Sequence, residues 1–427
     1  MIALVMFVVA LGLLLLGIPV AFAFGGVAMI FAFVIPNLGF EVFNILPFRI
    51  YGIMGNTTLM AVPLFIMMGL ILEKSGMAEK LLISMSAMFK GVRGGLGVSV
   101  VLVGAILAAS TGIVSASVVM MSVIALPLMI NAGYNKSLAS GTIAASGTLG
   151  QIIPPSIILI VLGDVMSVSV GDLFMGAVLP GLTLVSLYIV YILVRAYLQP
   201  NDAPAMRSEE SVSYFDLLKA IIPPLLLMIS VLGSIFAGIA SPTESAAFGV
   251  VGGILLSSIN KTLNFEMIQY ALFETMKLSG MIFMILIGAT AFSLVFNELG
   301  GTDVILEFFS EDIGNVWVFI AVSMLSIFIL GFFIDFIEIS FIIVPILVPV
   351  MAAFGIDPIW FAVLIAMNLQ ASFLTPPFGL SLFFLKGAAG NSVTTMQIYK
   401  GIIPFIVLQI LGLGLVLAFP DLVFAFL

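Results

Sequence analysis

The chain has 427 residues, 63% of them hydrophobic and only 8% charged, with a formal net charge of −8. It contains no Cys and no His, which excludes disulfides, thiol chemistry, haem ligation and the usual zinc sites. Apolar runs of about 20 residues recur along its whole length, the pattern of membrane-spanning helices, so the reading is an all-α polytopic membrane protein. The net charge identifies no partner, because orientation depends on where Lys and Arg fall rather than on their sum, and no nucleic-acid partner is expected.

Residues 1–16 and 20–34 are apolar runs hinged at Gly17-Ile18-Pro19. No basic segment precedes the first, which therefore reads as a retained helix rather than a cleaved signal peptide. Residues 37–57 are mixed and 59–72 read as a crossing. In 73–95, Lys74, Glu79, Lys80, Lys90 and Arg93 interleave with Leu and Met, which predicts an amphipathic arm along the interface. Residues 96–130 are apolar but interrupted at 110–117, leaving flanks of about 15 residues, too short for comfortable spans. They read as a re-entrant helical hairpin.

Residues 136–168 read as a broken helix. Gln151-Ile152-Ile153-Pro154-Pro155 lies inside a run long enough to cross a bilayer. Adjacent prolines remove backbone hydrogen bonds and push the preceding residue out of the α region. The freed carbonyls survive at membrane depth only where protein or a polar cavity surrounds them. Residues 173–198 are a full span, and the polar stretch 200–215 is a cytoplasmic linker.

The second half, 216–427, repeats the plan. Runs at 217–239 and 246–259 are hinged at Ser241-Pro242, 260–276 is mixed, and 277–296 spans. An arm at 298–312, a hairpin at 315–352 interrupted near Gly331–Asp335, and a broken helix at 358–388 with Pro376-Pro377 follow. Residues 396–419 form the last span. Pro154 and Pro376 lie 222 residues apart, as do Pro127 and Pro349, and Gly133 and Gly355; Pro19 and Pro242 lie 223 apart. With the N-terminus outside and five crossings per half, nearly all Lys and Arg fall on the cytoplasmic side and only Arg49 falls outside. An odd number of crossings makes 1–199 and 216–427 inverted-topology repeats, the architecture of many secondary transporters.

Pro242-Thr243-Glu244-Ser245-Ala246-Ala247, Gly147–Ser156 and Leu374-Thr375-Pro376-Pro377-Phe378-Gly379 give the chain its resemblance to a known family. Ala108-Ala109-Ser110-Thr111-Gly112 also looks like that family's first hairpin tip. The chain resembles the large membrane (DctM-like) subunit of tripartite ATP-independent periplasmic (TRAP) transporters. The resemblance implies an elevator-type fold of the ion-transporter-superfamily kind, in the bacterial inner membrane. It implies sodium-coupled import of an organic anion such as a dicarboxylate or sialic acid, the latter being the leading expectation. It also implies three kinds of partner: a small four-helix membrane subunit (DctQ-like), a periplasmic substrate-binding protein (DctP-like) and membrane lipid. A stand-alone sodium/carboxylate symporter is the alternative, with an ion channel or an intramembrane protease further off. No enzymatic activity is expected.

Sodium, as coupling ion, wants about five or six oxygens, which unwound carbonyls and polar side chains supply. One site per half is expected. The first draws on Ser110, Thr111, Gly112, Ser115, Ser146, Thr148, Gly150 and Gln151, beside the break at Pro154 and Pro155. The second draws on Gly331, Asp335, Asn368, Gln370, Ser372 and Thr375, beside Pro376 and Pro377. The same Ser and Thr residues could instead join helices to one another in lipid. Asp335 and Glu338 have the spacing of an N-terminal helix cap, which does not preclude ion binding. Ser241-Pro242-Thr243-Glu244 has capping-box spacing, so Glu244 is read as a cap and not as a carrier residue.

Overall fold

The computed structural model describes residues 1–427 except Asn37, Ile113 and 207–213, together with the side chains of 108–111 and 214–217. Part of the expected linker therefore lies outside the described residues. The first half holds α1 (Ile2–Leu15), α2 (Val20–Val34), α3 (Leu46–Met54), α4 (Ala61–Lys74), α5 (Met77–Met88), α6 (Gly95–Thr111), α7 (Val114–Asn131), α8 (Lys136–Thr148), α9 (Ile157–Val165) and α10 (Val170–Leu198). The second holds α11 (Tyr214–Phe236), α12 (Pro242–Ile259), α13 (Phe265–Glu298), α14 (Gly301–Glu307), α15 (Val316–Leu330), α16 (Phe336–Ile342), α17 (Val344–Ala353), α18 (Pro358–Leu374), α19 (Leu380–Ala389), α20 (Thr395–Ala418) and α21 (Asp421–Phe424). No strand occurs among the described residues. Among the described residues six helices, α7, α10, α11, α12, α13 and α20, are long and apolar enough to cross a membrane. The number is eight if each bent pair, α4–α5 (62°) and α16–α17 (51°), counts as one crossing.

Local chemistry sets the joints. Gly17 takes φ +84°, its N–H and that of Ile18 close onto Leu14 and Leu13, and Pro19 then opens the next helix. At the equivalent joint, Gly238 takes φ +66° and Ser241 and Glu244 form a complete capping box on α12. The arms are shorter than the sequence suggests. α4 runs on to Lys74, and left-handed Gly76 starts α5. Where the sequence suggests a mixed stretch at 260–276 and a separate span at 277–296, residues 265–298 form one 34-residue helix, α13. Its first-half counterpart is divided by a loop at 55–60, because Asn56 Oδ1 accepts the N–H groups of Thr58 and Leu59 and turns the chain. That loop is tied twice: Thr243 Oγ1 donates to the carbonyl of Thr57 (2.6 Å), and Asn56 Nδ2 donates to Asp164 on α9.

The core gathers around α8 and α18. Every residue from Leu138 to Thr148 and from Trp360 to Leu374 is buried, so neither helix meets lipid. Both pack against α20. A Cβ on Gly401, near the start of α20, would collide with the carbonyl of Ser137, near the start of α8. Trp360, near the start of α18, donates its indole N–H to Val416 near the end of α20 (3.1 Å). The start of α8 therefore meets the early part of α20, and the start of α18 meets its late part. Outward, α1, α2, α11, α12 and α20 carry exposed side chains such as Val8, Phe33, Leu226, Val251 and Val407, a surface suited to hydrocarbon.

A short strap closes one end of the first hairpin. Asp202 pairs with Arg195 of α10 (2.8 Å) and accepts from Asn135 Nδ2 (3.0 Å), while its carbonyl accepts the Asn135 N–H (2.9 Å). The next carbonyl, of Ala203, accepts the Gly94 N–H ahead of α6 (3.0 Å). Beside it Tyr134 accepts the Gly97 N–H, and burial pushes its phenol above the usual range. Asp202 thus holds the ends of α8 and α10 together, and the neighbouring Ala203 carbonyl ties in the start of α6. Asp202→Ala is expected to lower stability by about 1–2 kcal/mol, because the ion pair is partly exposed and the hydrogen bonds only partly replaced by water. Thermal unfolding of the purified protein checks this. Adding Arg195→Ala to that variant should cost little more, since the pair is already gone.

Candidate functional site

The first long break is buried in the core, whereas the second emerges from it, with Pro377 and Phe378 exposed. After α8 the chain makes one 3-10 turn, Leu149–Gln151, runs without helix over 152–156, and resumes at α9. After α18 it runs without helix over 375–379 and resumes at α19. The Pro154-Pro155 and Pro376-Pro377 peptide bonds are cis. Buried carbonyls near such a break need donors. Ser156 Oγ donates to the carbonyl of Gln151 (2.7 Å), and Ser381 Oγ donates to that of Phe373 (2.6 Å). Gln151 and Phe373 are 222 residues apart, so the two breaks are closed at one register position by a hydroxyl from beyond the prolines. Tyr399 of α20 donates its hydroxyl to the carbonyl of Pro377 (3.0 Å).

The expected ion ligands fall into groups. Ser110 and Thr111 lie outside the described residues as far as their side chains go. Gly112 is left-handed (φ +59°), and a Cβ there would lie 3.0 Å from Ile157 at the start of α9. Ser146 and Thr148 are fully buried and donate to the carbonyls of Ile143 and Ala145 in their own helix. Ser372 and Thr375 do the same with Leu369 and Ala371. Each hydroxyl still has lone pairs to offer. Gly150 is buried in the 3-10 turn. Gly331 packs so tightly on Ser372 that a Cβ would strike its hydroxyl, and Asn368 donates to the carbonyl of Met324 (2.7 Å), which seats α18 against α15. Gln151 and Gln370 stand apart from these. Both are buried, and neither the oxygen nor the nitrogen of either side-chain amide has a partner. Unpaired buried amides are costly and call for an explanation.

Asp335 caps α16 by accepting the Phe336 N–H (2.6 Å), and Glu338 returns the bond to the Asp335 N–H (3.0 Å). Asp335 is also set apart from the Gly331–Ser372 contact by what it faces. It lines a cavity of about 120 Å³ together with Ser115, Ile157, Phe373, Leu380 and Met281. A second cavity of about 430 Å³, reaching the Gly17–Pro19 hinge, shares Asp335 and Met281 with the first and adds Glu338.

The first cavity is where helices begin. Val114 and Ser115 open α7, Ile157 opens α9, Phe336 opens α16 and Leu380 opens α19; all line it. α16 is capped by its own acid, whereas α9 and α19 begin without a side-chain cap. Uncapped helix starts present free N–H groups and the positive end of the helix dipole. A further wall comes from α4 (Ile66) and α13 (Leu278, Met281, Ile282). The sequence reading missed this wall and the Ser156 and Ser381 hydroxyls. A serine within five residues after each double proline was the available signal.

An all-helical chain with this many apolar crossings, two helices broken inside its core and several helix starts on one internal cavity is a multi-pass membrane protein of the transporter class. Residues 7–422 match the family described as tripartite ATP-independent periplasmic transporter, DctM component, and the chain belongs to that family. It is 28% identical over 413 residues to the C4-dicarboxylate TRAP transporter large permease protein DctM of Rhodobacter capsulatus, covering 93% of this chain and 92% of that protein. It is 28% identical over 414 residues to the sialic acid TRAP transporter large permease protein SiaM of Vibrio cholerae, covering 96% and 95%. Its fold is similar to that of the YdaH transporter of Alcanivorax borkumensis, with a TM-score of 0.66 and 15% identity over 91% of each chain.

Ser156→Ala and Ser381→Ala each strand a buried carbonyl, at an expected cost of about 1–3 kcal/mol. Thermal unfolding of the single and double variants reads this. The two losses are expected to be of similar size.

Proposed function

We propose that the chain is the large membrane subunit of a TRAP-type secondary transporter that imports a small organic carboxylate across the bacterial inner membrane, coupled to sodium. The observation that carries this reading is the pair of uncapped helix starts, α9 and α19, on one cavity beside the two breaks. Such starts attract an anion without the grip of a buried Arg, and weak, reversible binding is what a carrier needs. The substrates for which the two relatives are named, C4-dicarboxylates and sialic acid, are both carboxylates.

Sodium is assigned to the breaks. Gln151 and Gln370 supply amide oxygens, joined by the hydroxyls of Ser146, Thr148, Ser372 and Thr375 and by carbonyls near Gly150 and Gly331. The two unpaired amides support this, since a cation would give each buried oxygen the partner it lacks. Two inverted repeats are part of the proposal, supported by the recurring order of elements and by the starts of α8 and α18 meeting different ends of α20. In the elevator motion, the hairpins α6–α7 and α15–α17 and the broken helices travel against α1–α4 and α11–α13. Each net positive charge carried inward would gain about 2.3 kcal/mol per 100 mV. A small four-helix membrane subunit and a periplasmic binding protein complete the assembly. Uptake by this chain alone would favour the symporter reading.

The test replaces Gln151 and Gln370 singly by Leu and measures uptake into proteoliposomes against sodium concentration. A merely structural amide, unpaired as these are, should leave the protein as stable or more stable on replacement. Sodium ligands should raise the half-saturating sodium concentration by about tenfold or more, roughly 1.4 kcal/mol. Unchanged sodium dependence in both variants would remove the assignment.

A further inference from the structure

A third cavity, of about 200 Å³, shares no lining residue with the two beside α16. Its lining comes from α1 (Phe7), α13 (Phe296), α14 (Ile305), α15 (Leu330) and α17 (Leu347), with no charged residue among them. Its polar members are Ser323 and Ser326 of α15, three residues apart and so on one helix face. Helix serines in this chain commonly spend the hydroxyl on their own backbone: Ser122, Ser186, Ser230, Ser257 and Ser340 each donate to the carbonyl four residues back. Ser323 does not. It is 1% exposed, and its hydroxyl has no partner. An unpaired buried hydroxyl calls for an explanation. Water is a poor one here: a cavity of this size holds several molecules, each wanting about three hydrogen bonds, and two serines cannot serve them.

The surface beside the cavity indicates what reaches it. Val318, Val322, Leu325 and Ile329 form an exposed apolar stripe along α15, at the spacing of one helix face. Val322 belongs to this stripe and also lines the cavity, which therefore adjoins a face suited to hydrocarbon. Trp317 is exposed and follows exposed Glu311 and Asp312, as a residue at the membrane interface does. Ser323 lies six residues further on, about 9 Å along the helix, near the depth where headgroups give way to hydrocarbon.

We propose that this cavity is a phospholipid site: one acyl chain enters past Val322, and an ester carbonyl of the lipid accepts a hydrogen bond from the Ser323 hydroxyl. In the proposed motion α1 stays and α15 and α17 travel, so a chain lodged here bridges the two sides. The site itself does not depend on the transport reading.

The experiment uses the full chain in nanodiscs of phosphatidylethanolamine and phosphatidylglycerol. A small fraction of the phosphatidylethanolamine carries a photoreactive diazirine midway along one acyl chain. After illumination, adducts are mapped by peptide mass spectrometry. They are expected on buried Ile343 and Leu347 of the cavity wall as well as on exposed Leu325 and Ile329 of the stripe. Ser323→Ala should lower the wall adducts by about threefold or more, the worth of one hydrogen bond, and leave the stripe adducts unchanged. Ser326→Leu, which fills part of the space, should do the same. Thermal unfolding and the stripe adducts report that each variant is folded. Loss of wall adducts in either variant supports the site. Adducts confined to the stripe, or wall adducts that neither substitution lowers, overturn it. Displacement of the wall adducts by excess palmitate also overturns it, by assigning the cavity to a free fatty acid.

Discussion

A backbone N–H or C=O at membrane depth has no water to turn to, and the structure is arranged around that constraint. Two helices stop inside the apolar region, and each stop would strand several carbonyls. The chain answers by burying the helix ends themselves: α8 and α18 are enclosed by other helices along their last turns. It then brings a serine hydroxyl from beyond each double proline onto one carbonyl. What remains open is concentrated where helices restart, on the N–H side of α9 and α19. A polar lining has been made inside a bilayer protein mainly from backbone, with few charged side chains.

The two halves are similar in plan but not interchangeable. In the first, Asn56 turns the chain between α3 and α4; in the second, α13 runs through the equivalent place without a break. Between Phe265 and Glu298 there is no proline, and its glycines, Gly280 and Gly288, both sit within regular helix. Gly288 lets α13 approach α2 so closely that a Cβ would strike the carbonyl of Ala21. The long helix therefore serves as a wall, presenting Leu278, Met281 and Ile282 to the cavity, while α4 contributes only Ile66. The acidic cap formed by Asp335 and Glu338, too, belongs to the second half alone. Residue 113, which would match Asp335, is an isoleucine.

Much of this could be read in the residues, because proline and glycine act locally. Pro-Pro inside an apolar run forces a break, Gly17-Ile18-Pro19 forces a joint, and Ser241 with Glu244 spells a capping box that forms as written. The DctM family was legible from the motifs around those same points. Continuity was harder: the polar residues of 260–276 look like a boundary, yet helical hydrogen bonding tolerates them on an exposed face, and α13 continues. The site was legible in its polar members and illegible in its walls. Gln151 and Asp335 stand out in an apolar sequence, whereas Met281 is one of 25 methionines and acquires meaning only from what it faces. Nor does spacing reveal that Ser146 and Thr148 spend their protons on their own helix.

The loop after α3 touches two parts of the molecule that the proposed motion separates. Thr57 is gripped by Thr243 of α12, on the stationary side, and Asn56 by Asp164 of α9, on the travelling side. In such a motion one clasp would stay shut, while the other would open each time α9 moved away and re-form when it returned. The strength of that second clasp would then set how long the carrier rests in this posture.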